Sequence, residues 1–83
     1  MHYNQVKWAS RRGMLELDLL LGPFVESQYP GLPERDQRRF QKLLTAEDQD
    51  LYEYLMGHRV PDDTDMAAAA HLVRHHQAHR QPT

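Results

Sequence analysis

The sequence contains no cysteine. That excludes a disulfide frame, a thiolate metal centre and a thiol nucleophile, and it agrees with a reducing compartment such as the cytoplasm. Long apolar runs are missing too: no stretch approaches the roughly 20 apolar residues that span a bilayer. Residues 1–10 mix polar and aromatic side chains without the apolar core of a secretory leader, so neither a membrane span nor a signal peptide is expected. Nor is there an excess of positive charge. Ten Lys and Arg against twelve Asp and Glu leave a formal net charge of -2, the wrong balance for a protein whose main task is to neutralise nucleic-acid phosphates. Serine is limited to Ser10 and Ser27, and there is no glycine-rich phosphate loop, Gly-x-Ser-x-Gly elbow or His-Glu-x-x-His motif. A chain of 83 residues makes a single domain that buries only about 60 to 65 per cent of its unfolded surface. A deep catalytic cavity is not expected in it.

What is present is helical periodicity. Val6, Trp8 and Ala9 suit a short first helix over Asn4 to Ser10, with Asn4 as its cap. After a junction at Arg11, Arg12 and Gly13, the residues Met14, Leu17, Leu20, Leu21, Phe24 and Val25 recur at three- and four-residue steps. This is the central helix. Leu15 and Leu19 widen its apolar face, so it is expected to be packed on more than one side, and Gly22-Pro23 to kink or break it. Tyr29-Pro30-Gly31-Leu32-Pro33 is turn chemistry. A third helix follows from about Pro33 to Leu44, its core face made by Phe40, Leu43 and Leu44.

Thr45 reads as the cap of a fourth helix carrying Leu51, Tyr52, Leu55 and Met56, with Gly57 just past its end. Tyr52 and Tyr54 point to opposite sides of it, one toward the core and one available to a partner. A fifth helix is expected from about Asp65, capped from the Asp62-Asp63-Thr64-Asp65 cluster, with Met66, Ala69, Ala70 and Val73 inward. Its alanines bury little area, which predicts the least firmly docked helix, with a frayed tail from about residue 77. The fold class is therefore all-α: residues 1–83 as one small bundle of about five short helices.

Three groups of residues compete as sites of chemistry. His71, His75 and His79 lie four apart on one helical face, which is metal-ligand spacing and would suit a small metal enzyme or carrier; no carboxylate joins them, and cations near a helix C-terminus also serve its dipole. The acidic clusters Asp62-Asp63-Asp65 and Glu47-Asp48-Asp50-Glu53 stand at helix starts, where capping accounts for them without acid–base catalysis. The third group is the junction Arg11-Arg12-Gly13-Met14-Leu15-Glu16. An ion pair of Arg12 with Glu16, at i,i+4 and in the weaker orientation, would contribute only ~0.2 to 0.5 kcal/mol. A glycine that admits a close backbone, flanked by arginines able to fork onto carboxylates, suits recognition of another protein. Trp8 and Tyr3 are expected to pack most of their area on the second helix.

Arg12-Gly13-Met14-Leu15-Glu16 resembles the RGxxE motif of the succinate dehydrogenase FAD assembly factor family, SdhE in bacteria. The similarity extends through Trp8-Ala9, Arg11, Leu17-Asp18, Pro23-Phe24, Phe40, Leu43-Leu44, Asp50-Leu51 and Leu55-Met56. Tyr54 stands where close relatives carry tryptophan, and Pro33 replaces a serine-type cap. The resemblance implies a small five-helix protein without catalytic activity of its own; composition adds the expectation of a cytoplasmic protein not inserted in a membrane, and a monomer is expected. It would bind the flavoprotein subunit of succinate dehydrogenase or fumarate reductase, not nucleic acid, and promote covalent attachment of FAD. FAD would then be the client's cofactor, not tightly held here. On this resemblance Arg12, Gly13 and Glu16 are the partner-binding motif positions, with Arg11, Met14 and Asp18 as flanking contacts. An antitoxin-like regulatory adaptor binding another protein is the second possibility.

Overall fold

A computed structural model describes residues 2–78 of the chain. Five α-helices follow one another, α1 (Tyr3–Ala9), α2 (Leu15–Ser27), α3 (Glu34–Leu43), α4 (Asp48–Leu55) and α5 (Thr64–Ala78), with a 3-10 turn at Tyr29–Gly31 between α2 and α3. No strand occurs among the described residues. Helix α2 is the hub, touching α1, α4, α5 and the 3-10 turn, while α3 runs along α5.

The three- and four-residue steps place Leu17, Leu20, Leu21, Phe24 and Val25 of α2 on its buried side. They meet Val6 of α1, Phe40 and Leu43 of α3, Leu51 and Leu55 of α4, and Ala69, Ala70 and Val73 of α5 in one core. Rings fill its centre. The Phe24 and Phe40 centroids lie 5.1 Å apart and those of Tyr29 and Phe40 5.5 Å apart, within the range of favourable aromatic contact. Tyr29 ties the turn to α3, because Gln41 Nε2 donates to its hydroxyl at 2.8 Å and Gln37 Nε2 to its carbonyl at 3.0 Å.

Several expectations are corrected. Helix α2 runs unbroken through Pro23. Gly22 has no Cβ to collide with the proline ring, and the turns on both sides are anchored in the core by Leu20, Leu21, Phe24 and Val25. Asn4 lies inside α1 and His2 takes the cap position, where the His2 N–H donates to Gln5 Oε1 at 3.1 Å. Thr45 does not cap α4. Its hydroxyl donates back to the Lys42 carbonyl at 2.6 Å, closing the end of α3, and Glu47 occupies the cap position instead. Tyr52 and Tyr54 are both half-buried against the core.

Helix α5 is firmly held. Ala69 and Ala70 are buried, so their small side chains let α5 lie close to its neighbours. Asp63 caps the helix by accepting the Met66 N–H at 3.0 Å. Lys42 reaches Asp63 at 2.6 Å and Asp65 at 3.6 Å, and Arg39 Nε donates to Asp65 at 3.0 Å. Gln77 and Ala78 continue the helix, and the expected fraying beyond them lies outside the described residues.

The hydrogen bond from Lys42, then that from the Met66 N–H, holds the Asp63 carboxyl below the usual carboxylate range, and the same Asp63 bond raises Lys42 above its ordinary value. Asp63 therefore contributes stability that is present above its unfolded pKa and lost as pH falls through the lowered folded value. The contribution of Lys42 is complete below its unfolded pKa and lost as pH rises through the raised one. Thermal melts should show Asp63→Ala less stable than Asp63→Asn at neutral pH, since asparagine keeps the cap and alanine loses both roles. The gap between wild type and Asp63→Asn should close in strong acid. A gap unchanged from neutral pH to strong acid would refute the assignment of the clasp.

Candidate functional site

The junction between α1 and α2 is where the candidate residues gather, and the structure divides them by direction. Arg11, Gly13 and Glu16 face solvent, while Arg12, Met14 and Asp18 turn inward. Gly13 adopts φ +75°, the left-handed region that side chains enter only at a cost of ~1 to 2 kcal/mol. A Cβ built there would meet nothing within 4 Å. The corner is conformationally demanding and sterically open. Met14 follows in extended conformation as the residue before α2 and packs on the core.

Arg12 is the inward-facing member. Its side chain is 16% exposed. Nη1 donates to the Ala46 carbonyl at 3.1 Å and to Asp48 Oδ1 at 3.2 Å, and Nη2 donates to the Leu44 carbonyl. Leu44 ends α3 and Asp48 begins α4, so one guanidinium joins the entrance of α2 to the α3–α4 turn. Its buried Nε–H finds no acceptor among the described residues. The Arg12 backbone N–H donates to Asp18 Oδ1 at 2.9 Å. Asp18 thus secures the junction from the first turn of α2, where a carboxylate is also favoured by the helix dipole. Arg12 lies outside α2 and makes no ion pair with Glu16, which is exposed.

The outward side carries residues that the sequence analysis assigned to packing. Trp8 is 68% exposed, with the Arg11 guanidinium stacked 5.2 Å from its ring centroid. Tyr3 turns instead toward Tyr29, 6.5 Å between centroids. Leu15 and Leu19 are 67% and 59% exposed. Both lie roughly 200° around the helix from Leu17, on the side away from the core. The signal was available: a chain this short cannot cover both faces of its central helix. Beside this patch runs an open groove of about 330 Å³ lined by Lys7, Ser10, Arg11, Asp18, Gly22, Val25 and Glu26. Aromatic and leucine side chains ringed by charges make a surface suited to gripping a protein.

The competing groups are accounted for individually. His71 and His75 have ring centroids 6.2 Å apart, and His79 lies outside the described residues. No group of three or more His, Cys, Asp or Glu able to hold a metal occurs among the described residues. In the second acidic cluster Asp48 engages Arg12, Asp50 engages Arg59 at 2.5 Å, and Glu53 bonds the His58 ring at 2.7 Å. That His58 bond, assisted by Gln49, holds the Glu53 carboxyl below its ordinary range. Asp48 had no signal in the sequence as a partner of a residue 36 positions away.

Residues 4–77 match the family Sdh5, described as the flavinator of succinate dehydrogenase. The chain is similar to the FAD assembly factor SdhE of Pseudomonas aeruginosa, 52% identical over 66 residues, covering 80% of this chain and 79% of the relative. It is similar also to the proteins of that name from Colwellia psychrerythraea, 48% identical over 83% of this chain and 76% of the relative, and Shewanella oneidensis, 45% identical over 89% and 90%.

The inward and outward halves of the junction should respond differently to truncation. Arg12→Ala leaves part-buried carbonyls without their donor and should cost roughly 2 kcal/mol, a fall in Tm of about 8 to 16 °C for a domain of this size. Glu16→Ala should stay within about 0.5 kcal/mol of wild type. Equal melting points for the two variants would contradict the division.

Proposed function

This chain belongs to the family of succinate dehydrogenase flavinators, and we propose that it acts as an assembly factor that binds the flavoprotein subunit of succinate dehydrogenase and promotes covalent attachment of FAD to that subunit. The observation that carries the proposal is the exposed corner of Arg11, Gly13 and Glu16 lying beside uncovered Trp8, Leu15 and Leu19. Tryptophan and arginine are the residue types that anchor protein interfaces.

The chemistry belongs to the flavin and to a histidine of the client, which bonds to the 8α-methyl group of the isoalloxazine. The role of this chain is to hold the client in an arrangement where those groups meet, so that interface binding energy supplies orientation. It has no catalytic residue of its own. FAD stays with the client, and no tight FAD site is assigned to this protein. It works as a cytoplasmic monomer, and fumarate reductase is a second client. Among the described residues no helix is long and apolar enough to cross a membrane.

In-gel flavin fluorescence of the denatured flavoprotein band tests the proposal directly. Deleting the gene should strongly reduce covalent flavin during aerobic growth, and an unchanged signal would reject the assembly role and favour a regulatory adaptor. Glu16→Ala should weaken flavoprotein binding about tenfold, equivalent to ~1.4 kcal/mol. Gly13→Arg should weaken it more, about a hundredfold, because a long side chain then occupies the open corner. Both variants should retain helical circular dichroism, which separates lost binding from lost fold.

A further inference from the structure

We propose that Arg12, the arginine of the motif, serves the client from inside the fold as a positioning residue, held by Asp18 and Asp48, and that the client touches only its neighbours. The inference rests on the flavoprotein-binding reading above. Residues 10–14 belong to neither α1 nor α2. The Arg11 N–H donates to the Trp8 carbonyl at 3.1 Å, which closes α1 but leaves the corner beyond it unsupported. Arg12 supplies the missing support at both of its ends. Its backbone N–H is bound by Asp18 at 2.9 Å. Its guanidinium is bound by the Leu44 and Ala46 carbonyls and by Asp48.

Those contacts cross 32 to 36 residues of sequence, so the corner is locked to the α3–α4 turn as well as to its own helix. Arg11 and Gly13 flank the locked residue. Their display, and the left-handed backbone of Gly13, follow from a residue that is itself turned away from solvent. A planar fork is needed for this, because two carbonyls and a carboxylate lie around one head group. The compact ammonium of lysine has the charge but not the geometry. Asp18 acts through a single acceptor oxygen and needs no charge to do so.

The test compares affinities for the purified flavoprotein subunit at a temperature well below each variant's melting transition, where every variant is folded. A merely structural role predicts no change under that condition. Arg12→Lys, which keeps the charge, should bind about tenfold more weakly, and Asp18→Ala should do the same. Asp18→Asn, which keeps the acceptor oxygen, should bind within about twofold of wild type. Wild-type affinity in Arg12→Lys would overturn the inference, as would an Asp18→Asn variant as weak as Asp18→Ala, since either would mean that charge is read directly by the client. Because Arg12→Lys is the variant most exposed to misfolding, the Asp18 pair decides the matter where circular dichroism shows it unfolded. If wild type itself does not bind the flavoprotein, the functional reading fails and the inference falls with it. If wild type binds and Glu16→Ala weakens binding while Arg12→Lys does not, the inference alone is lost.

Discussion

The guanidinium of Arg12 bridges two places where a small helical protein is weakest, the entrance of its central helix and the turn between two later helices. Carbonyls at a helix end lack intrahelical donors, and a turn that buries them must find donors elsewhere. Leu44 and Ala46 find theirs in Arg12, with Asp48 balancing the charge. A cation enclosed in this way is tolerated because charge-assisted bonds replace its lost hydration. Once Arg12 is held, the path of the chain through Gly13 into α2 follows.

That outward face is a consequence of size. Helix α2 carries apolar residues around most of its circumference, but its neighbours cover only the side of Leu17, Leu21 and Phe24. Leu15 and Leu19 remain uncovered on the other side, and on α1 Trp8 is likewise exposed, with Arg11 stacked on its ring. Burying a leucine is worth about 1.5 to 3 kcal/mol, so a partner that covers this patch gains from surface the chain could not use for its own stability. The charged clasps lie elsewhere, with Lys42, Arg39, Asp63 and Asp65 joining α3 to α5. Docking of α5 and display of the α2 face are carried by separate sets of residues.

Much of the fold was legible because it depends on local patterns. Periodicity found the five helices, and it named Leu17, Leu21, Phe24, Phe40, Leu43 and Val73 as core. Caps were read less well. Asn4 and Thr45 have the right chemistry, but His2 and Glu47 hold the positions, because the chain enters each helix at a point set by packing. Pro23 looked like a breaker, and tertiary anchoring on both sides overrode it. The motif was legible as a unit, and its division was not. Nothing local distinguishes Arg11, stacked on an exposed ring, from Arg12, whose acceptors lie more than thirty residues away.

Gly13 joins the two halves of the site. From within the fold, the requirement is conformational alone, since a Cβ there would meet no atom within 4 Å. Asparagine also enters the left-handed region without great cost, so backbone geometry does not by itself require glycine. On the proposed flavoprotein-binding reading the second requirement comes from outside: the residue lies between a displayed arginine and a displayed glutamate, where a side chain would stand between both charges and an approaching backbone. Glycine meets both demands at once. The locked arginine beside it fixes the corner that the absence of a side chain leaves open, and rigidity and access at this junction are thereby supplied by adjacent residues.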